Sequence, residues 1–265
     1  MSNLLVDIAQ ASHRVLLTQA SPIDLRSNVA GKAYLAFRSG DRLSRPINKA
    51  LFVFDENELL RRLAAFMNDR AAHLASADGP STLYTIAMSY CAASDTVRLL
   101  DKKTPATYFE IFAGHLLADR FGANPQTSAT VLNLDMKGDL PTDFIFDLGA
   151  GRSKFHVPIK ISTRERVIQV WAHQRVLDGI YGAGRFRGLL VALTETKLDR
   201  KKLDVVEICL PDQWRVYQMF IAQLDRIYYL DPPAAYARLA TGYPIVNVRP
   251  FSSFFSEADL LSGPS

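Results

Sequence analysis

Lys160-Ile161-Ser162-Thr163-Arg164-Glu165-Arg166 is the stretch of the chain that decides which fold and function the sequence predicts. It places an Arg-Glu-Arg triplet four residues after a lysine, between a predicted strand and a predicted helix. A lysine at a strand end can stabilise the charge of a reacting phosphate. Arginine donates to guanine, and glutamate accepts from cytosine, in the DNA major groove. Residues for phosphate chemistry and for base reading therefore lie close together, which predicts an enzyme that cuts DNA at specific sites.

The triplet also permits a second interpretation, in which it only begins a helix. Ser162 and Glu165 have the S-x-x-E spacing of a capping box, and the two arginines would then be ordinary surface charges. In the DNA-reading interpretation, the exposed first turn of the helix enters a major groove while its apolar face packs inward. The residues alone leave both interpretations open.

Composition limits the class of protein. The 265 residues, 48% of them hydrophobic, suffice for one large domain or for a core with a smaller annex. The net charge of +4 permits binding to nucleic acid without arguing for it. Cys91 and Cys209 lie in separate apolar runs, without a CxxC pair or zinc-ligand spacing. Because residues 1–9 also lack signal-peptide features and no apolar run has membrane-spanning length, we expect a cytoplasmic protein without a membrane partner.

Hydrophobic periodicity divides the chain into two predicted parts. Residues 1–104 are predicted to be a helical N-terminal subdomain that contacts DNA or dimerises, with helices at 4–20, after the N-cap Asp55, and at 82–100. Residues 105–265 are predicted to be an α/β core in which helices cover a mixed sheet of four or five strands. Its helices are predicted at 107–121, 163–180 and 211–230, and its strands at 128–134, 144–148, 154–161, 188–194 and 205–210.

The predicted hairpin of strands 144–148 and 154–161 brings together residues that suit phosphodiester hydrolysis. That reaction needs an activated water, a divalent metal and often a lysine near the phosphate. Asp143 and Lys160, at neighbouring ends of the hairpin arms, are the best candidates, and Asp147 is the rival carboxylate on the same strand face. The alternative is an exposed turn aspartate and an edge-strand lysine without a function.

Glu110 and His173 are further candidates, each on a predicted helix. Glu110 stands among aromatic and aliphatic residues, where a buried carboxylate would need a partner or a metal. The alternative for Glu110 is a solvated position on an amphipathic helix. His173 lies seven residues after Arg166, and so on nearly the same helix face, from which it can approach Lys160. The alternative for His173 is a packing or hydrogen-bonding histidine.

The order of these residues resembles the type II restriction endonucleases that cut CCGG and CCNGG sites, of the EcoRII, SsoII and NgoMIV kind. Their motif is a helix glutamate, an aspartate at a strand start, a lysine, an (R/K)-(D/E)-R triplet and a helix acid. The matching positions are Glu110, Asp143, Lys160 and 164–166. The triplet spacing is most similar to the CCNGG branch, whose helix acid stands thirteen residues after the lysine. Here that residue is His173, which departs from the family pattern.

The resemblance implies a PD-(D/E)xK nuclease core and a Mg²⁺-dependent, site-specific endonuclease of a restriction-modification system. Such an enzyme would act on double-stranded DNA as a homodimer. Asp143, Glu110 and His173 would hold the metal, and Lys160 would orient the water or stabilise charge. The palindromic CC…GG core of the site would be read by Arg164, Glu165 and Arg166.

Two alternatives to a nuclease remain. The first is a sequence-specific DNA-binding protein on a catalytically altered nuclease fold, to which the histidine at position 173 points. The second is a structural α/β protein whose triplet only caps a helix.

Overall fold

The computed structural model describes residues 3–97, 104–133, 136–149, 151–164, 167–243 and 245–258. The predicted helix end at residue 100 and strand end at residue 134 lie outside these ranges. The helices are α1 (Asn3–Gln19), α2 (Glu56–Asn68), α3 (Arg70–Ala75), α4 (Gly79–Thr96), α5 (Thr104–Phe121), α6 (Val167–Tyr181), α7 (Pro211–Phe220), α8 (Ala234–Gly242) and a 3-10 helix at Phe251–Phe255. Among the described residues, no helix is long and apolar enough to cross a membrane.

The strands belong to two sheets. They are β1 (Ser21–Ser27), β2 (Tyr34–Ser39), β3 (Arg42–Leu43), β4 (Ile47–Asn48), β5 (Gln126–Asn133), β6 (Met136–Phe146), β7 (Lys154–Val157), β8 (Ile159–Lys160), β9 (Phe186–Ala192), β10 (Thr196–Asp199), β11 (Asp204–Glu207), β12 (Leu224–Tyr229) and β13 (Val248–Pro250).

The larger sheet has the order β13-β12-β9-β7-β6-β5, with β8 paired to β9. β5, β6 and β7 are antiparallel neighbours, whereas β7, β9, β12 and β13 run parallel. The predicted mixed sheet with flanking helices is thus confirmed. It has seven strands in the described residues, more than the four or five expected. The predicted hairpin is also confirmed, since Phe144 of β6 pairs with Val157 of β7.

Strand β9 lies in the middle of the larger sheet and is buried on both faces. Leu189 and Val191 belong to a core that includes residues of α1, α4 and α5. Leu190 and Ala192 belong to a second core, with residues of α6 and α7. Successive side chains of a strand point to opposite faces, so a strand covered by helices on both sides is continuously apolar. Polar side chains are consequently concentrated at the ends of these central strands.

The N-terminal part contains a second sheet, which the prediction of a helical subdomain missed. β1 to β4 join β10 and β11 in a six-stranded sheet, in which β1 runs parallel to β11 and pairs Arg26 with Asp204. The strands from residues 21–48 are short and pair partly with a segment far away in sequence, so local periodicity does not reveal them. The two predicted parts therefore share a sheet, and the division of roles at residue 104 stays a prediction.

The described bounds of two helices differ from the predicted ones. α6 is described from Val167, after the gap at residues 165–166, so the predicted start near residue 163 stays a prediction, and α7 ends at Phe220 rather than near residue 230. The strand β12 follows α7, and its Ile227, Tyr228 and Tyr229 are fully buried. β-branched and aromatic residues suit such a strand, and its pairing with β9 and β13 decides the conformation.

Candidate active site

Asp143 and Lys160 meet at one end of the β6–β7 hairpin, as the sequence predicts. The Lys160 Nζ donates to Asp143 Oδ2 at 2.6 Å, and the backbone N–H of Ile159 donates to the same oxygen, also at 2.6 Å. Both side chains are partly buried, with exposed fractions of 30% and 23% for the lysine and the aspartate. The rival carboxylate, Asp147, lies at the other end of the hairpin and pairs with Lys154 at 2.8 Å. The geometry therefore favours Asp143 as the partner of Lys160.

The backbone of Lys160 is fixed independently of its side chain. β8 pairs parallel with β9, which places Lys160 beside Ala192, and Leu193 N–H donates to the Lys160 carbonyl at 3.0 Å. Pro158 separates β7 from β8, and its carbonyl accepts from Val191 N–H at 3.0 Å. A proline has no N–H to give to a ladder, which accounts for the break between the two strands. Lys160 thus projects from a rigid strand.

A cavity of about 200 Å³ opens beside this pair. Its lining is formed by Pro141, Thr142, Asp143, Pro158, Lys160, Gln169, Val170 and His173. The side-chain oxygen of Thr142 is buried and has no hydrogen-bond partner within the described residues. A buried hydroxyl without a partner is costly, unless water or a ligand satisfies it. The cavity therefore has room and unused hydrogen-bonding capacity for a polar ligand.

Glu110 reaches the neighbourhood of Asp143 from helix α5. Burial, and then the negative charge of Asp143, raise the pKa of Glu110, while the positive charge of Lys160 lowers it. Gly114 lies one helical turn further along α5, and a Cβ atom there would stand 2.6 Å from Cζ of Phe144. The missing side chain at Gly114 therefore lets α5 pack closely on β6, next to Asp143. Glu110 and Asp143 form an electrostatically coupled pair of carboxylates.

His173 of α6 lines the same cavity, and the alternative of a packing or hydrogen-bonding histidine stays open. Its side chain is half-buried. Burial, and then the positive charge of Lys160, lower the pKa of His173, and the charge of Asp143 partly offsets this. The imidazole is consequently neutral at neutral pH and can accept a proton at one ring nitrogen.

Asp143 and Glu110 offer the oxygen ligands that a divalent cation needs. A cation between Glu110 and Asp143 would remove the repulsion that contributes to the raised pKa of Glu110. Carboxylate and hydroxyl oxygens are also the ligands that Mg²⁺ prefers. In the described part of the chain, however, no group of three or more His, Cys, Asp or Glu residues is arranged to hold a metal. Asp143 and Glu110 fit the cation, and a direct metal contact of His173 stays a prediction.

Comparison with solved structures identifies the architecture. The type IIP restriction endonuclease Kpn2I superimposes on this chain with a TM-score of 0.82, over 99% of this chain and 93% of that one, at 24% sequence identity. The chain has a restriction-endonuclease fold. A complex of restriction endonuclease PspGI with substrate DNA has a TM-score of 0.49 at 15% identity, over 78% of this chain and 92% of that one.

The restriction-endonuclease fold confirms the predicted fold class. No protein-family model matches the chain, and a search of the curated proteins gave no match either. At this level of identity the likeness shows the fold, while the activity has to be argued from the site.

The triplet segment (residues 162–166) lies between Lys160 and helix α6, and hydrogen bonds to a buried glutamate hold its described part. Glu195 follows β9, is fully buried, and accepts from Ser162 Oγ and from the N–H and hydroxyl of Thr163. Arg164 is exposed and has a φ of 33°, a left-handed conformation that is uncommon outside glycine. Glu165 and Arg166 lie outside the described residues. The sequence prediction missed Glu195, because its partners are more than thirty residues away.

Next to His173, Gln174 belongs to a buried set of hydrogen bonds that includes His156. The sequence prediction did not include this set. Gln174 Nε2 donates to Phe186 O at 2.7 Å and to Asp178 Oδ1 at 2.9 Å. Its Oε1 is therefore the acceptor for His156 Nδ1–H, at 3.1 Å. Burial lowers the pKa of His156 to about 4, so this ring is neutral as well. These hydrogen bonds fix α6 against the sheet and thereby fix the position of His173.

Proposed function

We propose that the chain is a site-specific endonuclease of a restriction-modification system that hydrolyses phosphodiester bonds of double-stranded DNA with Mg²⁺. The observation that carries the proposal is the 2.6 Å contact of Lys160 with Asp143 beside a polar cavity, with Glu110 coupled to Asp143. A lysine and a carboxylate at the end of a sheet, with a second carboxylate on the neighbouring helix, are the groups that phosphodiester hydrolysis needs. The restriction-endonuclease fold supports the same class of reaction by analogy.

Each residue of the site has a proposed role. Asp143 and Glu110 would hold Mg²⁺, which when bound supplies positive charge for the phosphate and lowers the pKa of a bound water. Lys160 places its ammonium group beside the phosphate, where it stabilises the negative charge that develops during the reaction. The bonds from Lys160 and Ile159 to one oxygen of Asp143 orient the carboxylate and leave its other oxygen for a further ligand.

His173 would take the position of the helix acid in the endonucleases that the sequence resembles. A neutral imidazole on the cavity wall can accept a hydrogen bond from the attacking water, and it can take up a proton as that water reacts. It adds no negative charge to the site. The role of His173 is therefore to position water, with Asp143 and Glu110 supplying the negative charge.

The triplet segment is the proposed reader of the DNA sequence. Arg164 is exposed at the end of the segment that Glu195 holds, within four residues of the proposed catalytic lysine. Two arginines and a glutamate suit a CC…GG core, in a CCNGG-like or CCGG-like site. A palindromic site presents two identical half-sites, which a homodimer would match with its own two-fold symmetry.

A second candidate function is a sequence-specific DNA-binding protein that has lost the nuclease activity. The histidine in place of the helix acid, and the absence of a three-residue metal cluster in the described ranges, favour this candidate. Incubation of plasmid DNA with the protein and Mg²⁺, followed by sequencing of fragment ends, tests the first proposal. Intact plasmid together with sequence-specific binding would favour the second. If a His173→Glu variant of such a protein then cuts the plasmid, the loss of nuclease activity is assigned to position 173.

A further inference from the structure

We infer that Glu195 is a positioning residue that sets which base pairs the triplet segment accepts, separately from the step that breaks the bond. The inference rests on the proposed function. Glu195 lies between β9 and β10 and is fully buried. Nothing in the sequence near this residue resembles a motif, and its role follows from what its carboxylate contacts.

Four hydrogen bonds end on the Glu195 carboxylate. Ser162 Oγ donates to Oε2 at 2.7 Å, whereas Oε1 accepts from Thr163 N–H at 2.8 Å and from Thr163 Oγ1 at 2.7 Å. The hydroxyl of Tyr229, at the end of β12, donates to Oε1 at 2.7 Å. Three of the four bonds therefore hold two consecutive residues of the triplet segment, and the fourth ties this arrangement to the central sheet.

No salt bridge to Glu195 is found among the described side chains, which makes its burial unusual. Burying a carboxylate without a cation is costly unless hydrogen bonds satisfy it, so the hydroxyl and amide groups around Glu195 take the place of a cation. The Glu195 carboxylate accepts from the hydroxyls of Ser162 and Thr163 and from the Thr163 N–H, all in one turn. This indicates that Glu195 fixes the position of that turn.

The catalytic pair does not depend on this arrangement. Lys160 is held through its backbone by Leu193 N–H and through its side chain by Asp143, and neither contact involves Glu195. Arg164, in contrast, follows Thr163 directly and keeps its left-handed conformation at the end of the tethered turn. Loss of the Glu195 bonds should therefore displace Arg164 and leave Lys160 and Asp143 in place.

The test compares Glu195→Gln with Glu257→Gln. Glu257 is also a buried carboxylate, but its partners Arg226, Arg249 and Tyr228 hold the C-terminal end of the chain. Single-turnover cleavage is measured on a duplex with the preferred site and on duplexes with one base pair of that site altered. The ratio that matters is the cleavage rate on the preferred site divided by the rate on an altered site. We expect Glu195→Gln to lower this ratio about tenfold or more, which is the scale of one lost base contact, and Glu257→Gln to leave it unchanged. The rate on the altered duplex should be nearly the same in all three proteins.

An equal loss of both rates in Glu195→Gln, or an unchanged ratio, would overturn the inference. If the glutamine variant is unfolded by circular dichroism, Ser162→Ala, which removes one of the four bonds, should lower the ratio in the same direction. If the wild-type protein binds its site but does not cut, the same ratio is measured from equilibrium binding constants. Wild-type protein that neither cuts nor binds DNA would reject the proposed function itself, which distinguishes the two failures.

Discussion

Lys160 and Asp143 are seventeen residues apart in sequence and share a hydrogen bond of 2.6 Å across the end of the β6–β7 hairpin. The same oxygen of Asp143 accepts from the Ile159 N–H, so the carboxylate and the lysine are oriented by one strand. The cavity beside them, lined also by His173, is where we propose that a phosphate group enters. The proposed nuclease activity depends on this relationship.

Lys160→Ala should abolish Mg²⁺-dependent cleavage and leave specific DNA binding largely intact. In the proposed mechanism the lysine stabilises charge that exists only in the transition state, so its loss should lower the cleavage rate by about a hundredfold or more. Lys154→Ala is the matched control, since Lys154 also pairs with an aspartate, Asp147, which follows β6 at the far end of the hairpin. Binding is measured by gel shift and cleavage by single-turnover kinetics. Full cleavage by the Lys160 variant would remove this residue from the mechanism.

Arg166→Ala should lose discrimination at one G·C pair of the site. A bidentate arginine contact to guanine contributes about 1–3 kcal/mol to discrimination against the wrong base pair, and the variant would lose this contribution. Arg175→Ala, an exposed arginine further along α6, is the control and should keep the wild-type preference. Competition binding with base-substituted duplexes measures the difference. An unchanged preference in the Arg166 variant would reject its reading role.

The stability of the protein should fall between pH 6.5 and pH 4 because of His156. Burial lowers the pKa of His156 to about 4 in the folded protein, from 6.5 in the unfolded chain. The folded state favours the neutral ring, so the free energy of unfolding is highest above pH 6.5, where the ring is neutral in both states. As the pH falls towards 4, the unfolded chain binds a proton at His156 first, and the free energy of unfolding drops by up to about 3 kcal/mol. His156→Asn keeps a donor for Gln174 and does not titrate, so its stability should change less with pH. Urea unfolding at pH 7 and pH 4.5 measures both proteins, and equal changes would contradict the assignment.

Gly114→Ala should destabilise the protein, although alanine favours helices. The new methyl group would stand 2.6 Å from the ring of Phe144, and such overpacking costs roughly 1–3 kcal/mol. Gly179→Ala is the matched control in α6, where nothing lies within 4 Å, and should stabilise by roughly 0.5–1 kcal/mol. Thermal unfolding of the two variants should therefore shift in opposite directions. A stabilised Gly114 variant would show that α5 does not need its close approach to β6.

The sequence predicts the parts of the site that depend on local pattern. The turn between two apolar strands predicts the hairpin, and the hairpin leads the chain to the place where Lys160 meets Asp143. Glu195 and His156 were missed because their contacts join segments that only the parallel sheet brings together. The sheet formed by β1 to β4 was missed for the same reason, since β1 pairs with β11. Tertiary pairing, which local periodicity does not encode, accounts for these differences.

Sequencing the ends of fragments from a Mg²⁺ digest of plasmid DNA tests the proposed function most directly. The digest reports activity, recognition site and cut position together, and Lys160→Ala protein prepared in the same way controls for contaminating nucleases. The proposed function predicts that the wild-type fragments all end within one palindromic sequence with a CC…GG core, and that the variant yields no fragments. Intact plasmid, ends without a common sequence, or the same fragments from the variant would contradict it.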